Sequence, residues 1–285
     1  MAILNQFKTV IILGLLAGLL MGVGWLIGGY QGLTIGLIFA IVMNFGTYWF
    51  SDRIVLWMYK AQEAKKSEYP ELYKMVSDVA KLAGIPMPKV YIMQNPTPNA
   101  FATGRNPKHA VVACTTGIME LLNKEELKGV IAHEISHIRN RDILIQTIAA
   151  TIAAVISYVA MMTRYAAIFG GVGGKDDRDG GGILGFLLLA IVTPLIAMLL
   201  QLALSRSREY LADESGAKII KNPSALASAL AKLETGVKNN PMRIGSPATS
   251  SLFIVNPFSA KGLTSLLSTH PPMDERIKRL KDMRV

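Results

Sequence analysis

Four stretches of the chain carry no charged residue: 9–30, 32–50, 143–163 and 183–204, of 22, 19, 21 and 22 positions. A bilayer core about 30 Å thick needs about 20 apolar residues in helical form, and each stretch is that long. Buried core helices are commonly shorter and amphipathic. A secretory leader is a rival reading of 9–30, but its apolar run is too long for one, no small-residue cleavage site is clear, and 32–50 follows at once. The pattern predicts transmembrane helices at 9–30 and 32–50. It predicts a second pair at 143–163 and 183–204, either spanning or forming a shallow hairpin, with Gln146, Pro194 and Gln201 inside the apolar runs.

The remainder alternates polar and apolar positions as a globular domain does. It falls in two parts, 51–142 and 205–285, which together reach an ordinary domain size. In the first part, Leu72, Met75, Val76, Val79 and Leu82 recur at helical spacing over 67–83, and Gly84 ends the run. Lys89–Met93 reads as a short strand, 95–99 as a turn, and 100–103 and 110–114 as strands joined by a turn at 105–108. Asn123 followed by Glu126 is a capping-box pattern. It opens a helix from Lys124 to about Asn140, with Leu127, Val130, Ile131, Ile135 and Ile138 as its apolar stripe. The loop 164–182 is low in complexity and reads as a flexible tether. Residues 236–260, rich in Gly, Pro, Ser and Asn, form either a flap over a cleft or a plain connection.

Composition sharpens this picture. The chain has 285 residues, 51% hydrophobic and only 18% charged, with mean hydropathy +0.35; that excludes a disordered chain. A single cysteine, Cys114, excludes an internal disulfide framework and an all-cysteine metal site. The net charge is +10. With an even number of crossings, 27 of the 30 basic residues share one side with the N-terminus, and the excess of Lys and Arg assigns that side to the cytoplasm. Trp25, Tyr30, Tyr48, Trp49, Trp57 and Tyr59 gather near span ends, as interfacial anchors do. No compact basic face with interleaved aromatics is evident, so no nucleic-acid partner is expected.

The chemistry centres on His133-Glu134-Ile135-Ser136-His137, an HExxH pattern on the capped helix. Positions i and i+4 project from one helical face, so two imidazoles there can share one metal ion. A carboxylate beside the first histidine is placed to take a proton from a water that the metal acidifies. A catalytic zinc usually takes a third protein ligand, and no third histidine follows closely. Glu209 and Asp213, also four apart on a probable helix, are either a ligand with a carboxylate that orients a ligand histidine, or an ordinary solvated acidic face. His109, beside a turn, reads as exposed. Cys114 reads as a packed apolar residue.

HExxH with a downstream ExxxD after a membrane hairpin resembles peptidase family M48. The fuller pattern looks like that family's HtpX membrane-protease branch, through Asn99-Ala100-Phe101-Ala102-Thr103-Gly104, the stretch 132–137, the residues 208–213, and Thr269-His270-Pro271-Pro272 followed by Glu275-Arg276-Ile277. The resemblance covers nearly the whole chain. It implies a multi-pass α-helical membrane protein with a cytoplasmic α+β zincin-like metalloprotease domain, in the cell (inner or plasma) membrane. It implies one zinc held by His133, His137 and Glu209, with Glu134 as base and Asp213 behind a ligand. It favours Asn99, Ala100, Phe101 and Ala102 as an edge strand receiving substrate over an ordinary interior strand, and His270 as a donor to the oxyanion; Arg276, six residues on, reads either as a partner of Asp213 or as a second oxyanion donor. The implied activity is endoproteolysis of unfolded or misfolded membrane proteins in stress-related quality control. The rival from another class is a non-proteolytic zinc-containing membrane scaffold or chaperone-like binder. A closed structural zinc site usually draws on cysteine, and none lies near the motif. A transporter is ranked last, because the four spans contain no charge.

Overall fold

The first two apolar stretches form one helical hairpin, α1 (Ala2–Met58), broken only at Gly28 and Gly29. Gly29 takes φ 55°, a conformation that glycine adopts without steric cost. The arms then pack closely. A Cβ on Gly24 would stand 2.2 Å from the Gly32 carbonyl oxygen, and one on Gly36 would stand 2.5 Å from that of Leu20. The Asn44 amide donates to the Leu13 carbonyl across the pair at 3.0 Å. Both arms are long and apolar enough to cross a bilayer, and Ile38, Val42 and Phe45 are exposed.

A computed structural model describes residues 2–153, 206–245, 247–258 and 271–285. Residues 154–163 of the third apolar stretch, the loop 164–182, the fourth stretch 183–204 and His270 lie outside the described residues.

The charge-free run ends at residue 50. The helix continues instead to Met58, because 51–58 is amphipathic and its apolar side has somewhere to go. Ser51, Val55, Leu56 and then Tyr59 are buried, with Val55, Leu56 and Tyr59 against Met93, Phe101, Val111 and Ala113. The second arm therefore runs straight into the face of a sheet.

That sheet has four strands in the order β1 (Gln62–Glu63), β2 (Lys89–Met93), β4 (Ala110–Thr115), β3 (Ala100–Gly104). β2 and β4 are parallel; the outer pairs are antiparallel. Side chains alternate between its faces. Val90, Ile92, Ala100, Ala102, Val112 and Cys114 face one core, and Phe101, Val111 and Ala113 face the other. Both faces are covered, which explains why these strands read as continuous apolar runs.

The first core is organised on α4 (Lys124–Arg139). It is surrounded by α2 (Pro70–Ala83), α6 (Arg206–Ile220) and α7 (Pro223–Asn239), with β3 and β4 on its remaining side. α3 (Thr116–Leu121) precedes it, and α8 (Met273–Lys281) packs on α6 and α7. α5, described over Ile143–Ala153, lays Ile145, Ile148 and Ile152 against Ile12 and Leu16 of the hairpin. Thr147 and Thr103 hydroxyls meet at 3.0 Å and tie α5 to β3.

The capping box is present in full: the Glu126 N–H donates to Asn123 Oδ1 at 2.9 Å, and the Asn123 N–H donates to Glu126 Oε2 at 3.0 Å. Glu126 also accepts from Ser228 Oγ at 2.7 Å and Lys232 Nζ at 2.8 Å, pinning α7 to the start of α4. Burial acts to raise its carboxyl, but Lys232, Ser228 and the Asn123 N–H outweigh that and hold it below the ordinary value. A depressed folded-state value contributes stability above the ordinary carboxylate pKa, about 4.3, which is lost as pH falls through the folded value. Glu126→Ala is expected to destabilise the protein by about 1–2 kcal/mol at neutral pH. Denaturant midpoints of parent and variant should converge in acid.

Candidate metal centre

α4 is buried along its central turns, so its histidines face protein on every side. The i, i+4 spacing brings His133 Nε2 and His137 Nε2 to 3.2 Å, with the rings edge to face. α6 supplies the third group: Glu209 Oε2 lies 3.7 Å from His133 Nε2, and Oε1 lies 3.5 Å from His137 Nε2. The two helices approach closely because Gly216 has no side chain; a Cβ there would stand 2.9 Å from the His133 backbone nitrogen.

These three groups fit a metal. Zinc bonds of about 2.0–2.1 Å in tetrahedral geometry put ligand atoms about 3.3 Å apart, close to the spacings observed. Each histidine also turns its other ring nitrogen to a carboxylate. His133 Nδ1 is 2.9 Å from Asp213 Oδ1, close although out of line for a good hydrogen bond. His137 Nδ1 is 3.4 Å from Asp142 Oδ2. A proton on each Nδ1 leaves two bare Nε2 lone pairs facing each other, an arrangement that a cation between them relieves.

Arg276, fully buried on α8, donates from Nε to Asp213 Oδ2 and from Nη2 to Asp213 Oδ1, both at 2.7 Å. Burial opposes its charge, but Asp213 and then Glu209 and Glu134 hold it protonated and raise its pKa. Asp213 is in turn lowered, against burial, chiefly by Arg276. Nη1 of Arg276 donates to the Ile254 carbonyl at 2.9 Å, and Nη2 stands 3.9 Å from Glu209.

Glu134 projects beside the cluster. Burial pushes its carboxyl up to about 7; Glu209 adds to the rise, while His137, the Ala102 N–H and Arg276 pull against it. A base near the operating pH suits proton transfer.

β3 sits at the sheet edge, with Asn99 before it. Asn99, Ala100, Phe101 and Ala102 are all buried, and Asn99 Nδ2 donates to the Val255 carbonyl at 2.7 Å. His109 is exposed. Cys114 is fully buried, and burial next to Glu134 raises its thiol to about 12, so it is a packing group. Asp142 carries no local motif and is absent from the sequence-based assignments. Arg141 adopts φ 60°, and the Asp142 N–H returns to the His137 carbonyl at 2.9 Å. This turn folds the carboxylate back onto the ring. A short acidic residue five positions past the second histidine is the available signal.

The profile of peptidase family M48 matches residues 66–284. The chain belongs to peptidase family M48. Proteins named Protease HtpX homolog are similar to it throughout. The one from Syntrophobacter fumaroxidans is 49% identical over 98% of this chain and 99% of its own. That from Syntrophotalea carbinolica is 54% identical over 99% and 100%. That from Pyrococcus furiosus is 53% identical over 96% and 94%. Among solved structures, that of S. mikatae Ste24p shares the fold, with a TM-score of 0.55 at 20% identity. The match covers 99% of this chain and 66% of that one.

In this M48 peptidase, removing the group behind His137 should loosen the metal. Asp142→Ala is expected to weaken metal binding about 10–100-fold, read by competition with a chromophoric chelator.

Proposed function

We propose that this M48 metalloendopeptidase is an integral-membrane zinc enzyme. Its two-part domain, 51–142 and 205–285, lies on the cytoplasmic face, and the ion, one per chain, is held by His133, His137 and Glu209. The observation that carries this reading is the buried trio of ligand atoms, all within 4.8 Å of one another, with Glu134 beside it. Bound zinc would polarise the scissile carbonyl and acidify water. Glu134, beside the ligand trio, takes the proton of the attacking water and delivers it to the leaving amine. Asp213 and Asp142 fix the two rings. Arg276 holds Asp213, and His270 donates to the developing oxyanion.

The membrane setting follows from the hairpin and the two further apolar stretches, 143–163 and 183–204. The distribution of Lys and Arg supports a cytoplasmic catalytic side in a cell (inner or plasma) membrane. The edge of β3 supports recognition of extended chain through main-chain hydrogen bonds. Such recognition suits unfolded or misfolded membrane proteins and a role in quality control.

Detergent-solubilised protein with zinc should cleave casein and an unfolded membrane protein, and a chelator should stop it. Glu134→Gln should keep its metal and lose activity about 10²–10⁴-fold. His133→Ala and His137→Ala should lose both. Undiminished cleavage by Glu134→Gln, or chelator-resistant cleavage, would refute the mechanism. Bound zinc without cleavage would point to a scaffold.

A further inference from the structure

The outer edge of β3 offers main-chain groups beside Glu134, and the chain's own residues 252–255 lie along it. Phe253 forms an antiparallel bridge with Phe101. The Ile254 N–H donates to the Ala100 carbonyl at 3.2 Å, and the Ile254 carbonyl accepts from Arg276 Nη1 at 2.9 Å. The Val255 carbonyl accepts from Asn99 Nδ2 at 2.7 Å. Phe253 packs edge-on against Phe101 and Tyr59, with ring centroids 5.3 and 4.9 Å away. Ile254 and Val255 enter the core that contains α4, and Leu252 joins Phe253 on the other face.

Two features set this strap apart from an ordinary sheet strand. Its pairing with β3 is a single bridge, not a ladder, so it can leave without unravelling β3 from β4. Its Ile254 residue is held by groups that belong to the site: the N–H by the strand edge, and the carbonyl by the guanidinium whose Nη2 is 3.9 Å from Glu209.

We infer, on the reading of this site as a peptidase, that residues 252–255 fill the place of substrate backbone. A substrate adds to β3 by displacing them. Its own N–H then meets the Ala100 carbonyl, and its carbonyl meets Arg276. The same geometry sets the substrate class. Displacement uncovers Leu252, Phe253, Ile254 and Val255 and empties the space beside Tyr59 and Phe101. A polar peptide restores only the main-chain hydrogen bonds. A segment with consecutive large apolar side chains refills the space as well, so the enzyme selects extended apolar stretches.

The test uses zinc-loaded Glu134→Gln, which retains bound peptide, and two synthetic peptides of equal length. One carries Leu-Phe-Ile-Val; the other carries Ser-Asn-Ser-Gln at those positions. Amide hydrogen exchange at Ile254 should accelerate about tenfold or more when the apolar peptide saturates the protein. The active enzyme should cleave that peptide with a KM about tenfold below that of its polar twin. Ile254→Pro removes the N–H that competes for Ala100, and should lower KM for the apolar peptide by about tenfold, because a larger fraction of sites stands open. Cleavage with Ile254 still protected in the bound state, or equal KM for the two peptides, overturns the inference and leaves the peptidase reading intact. Absence of any zinc-dependent cleavage overturns both. If Ile254→Pro does not fold, the exchange measurement on the parent site decides.

Discussion

Asp213 stands between an imidazole and a fully buried guanidinium, and the organisation of the site depends on that position. Taking Arg276 and Asp213 out of water costs several kcal/mol for each ion. Two hydrogen bonds of 2.7 Å and a carbonyl contact offset the cost. Removing either partner would leave the other charged and buried, a loss of about 3–5 kcal/mol. The constraint therefore fixes segments as well as side chains. Asp213 belongs to α6, and Arg276 of α8 and His133 of α4 meet its carboxylate, while Arg276 also reaches the Ile254 carbonyl of the strap. Glu209 reaches its place beside the histidines because it sits one turn before Asp213 on the same helix.

Much of this was legible in the sequence where the signal is local. The HExxH spacing, the capping box at Asn123 and Glu126, and the strand Lys89–Met93 are short-range patterns, and each appears in the structure at or near its expected bounds. Glu209 and Asp213 were visible as an i, i+4 pair, although spacing alone left them undecided between a site and a solvated face. What escaped depends on packing at long range. Alternation identifies strands but not their order, so the parallel pairing of β2 with β4 had no sequence signal. Asp142 escaped because its role comes from a left-handed turn at Arg141, a position with no glycine to announce it. The strap escaped because 236–260 is rich in Gly, Pro, Ser and Asn and carries no strand pattern of its own, and its pairing with β3 joins residues far apart in sequence.

The hairpin shows the same limit in another form. Absence of charge ended the second apolar stretch at Phe50, but the helix continues to Met58 because Val55 and Leu56 find the sheet. Charge reports where a helix leaves an apolar medium, not where it stops. Between the apolar arm and the sheet there is consequently no joint.

That continuity makes the helix a ruler. At 1.5 Å per residue, Leu56 stands roughly 9 Å beyond Phe50, and β3 packs at that height. Whatever medium holds the arm also fixes the elevation and tilt of the cleft. The cleft is therefore set at a fixed distance from the arm and not carried on a flexible linker.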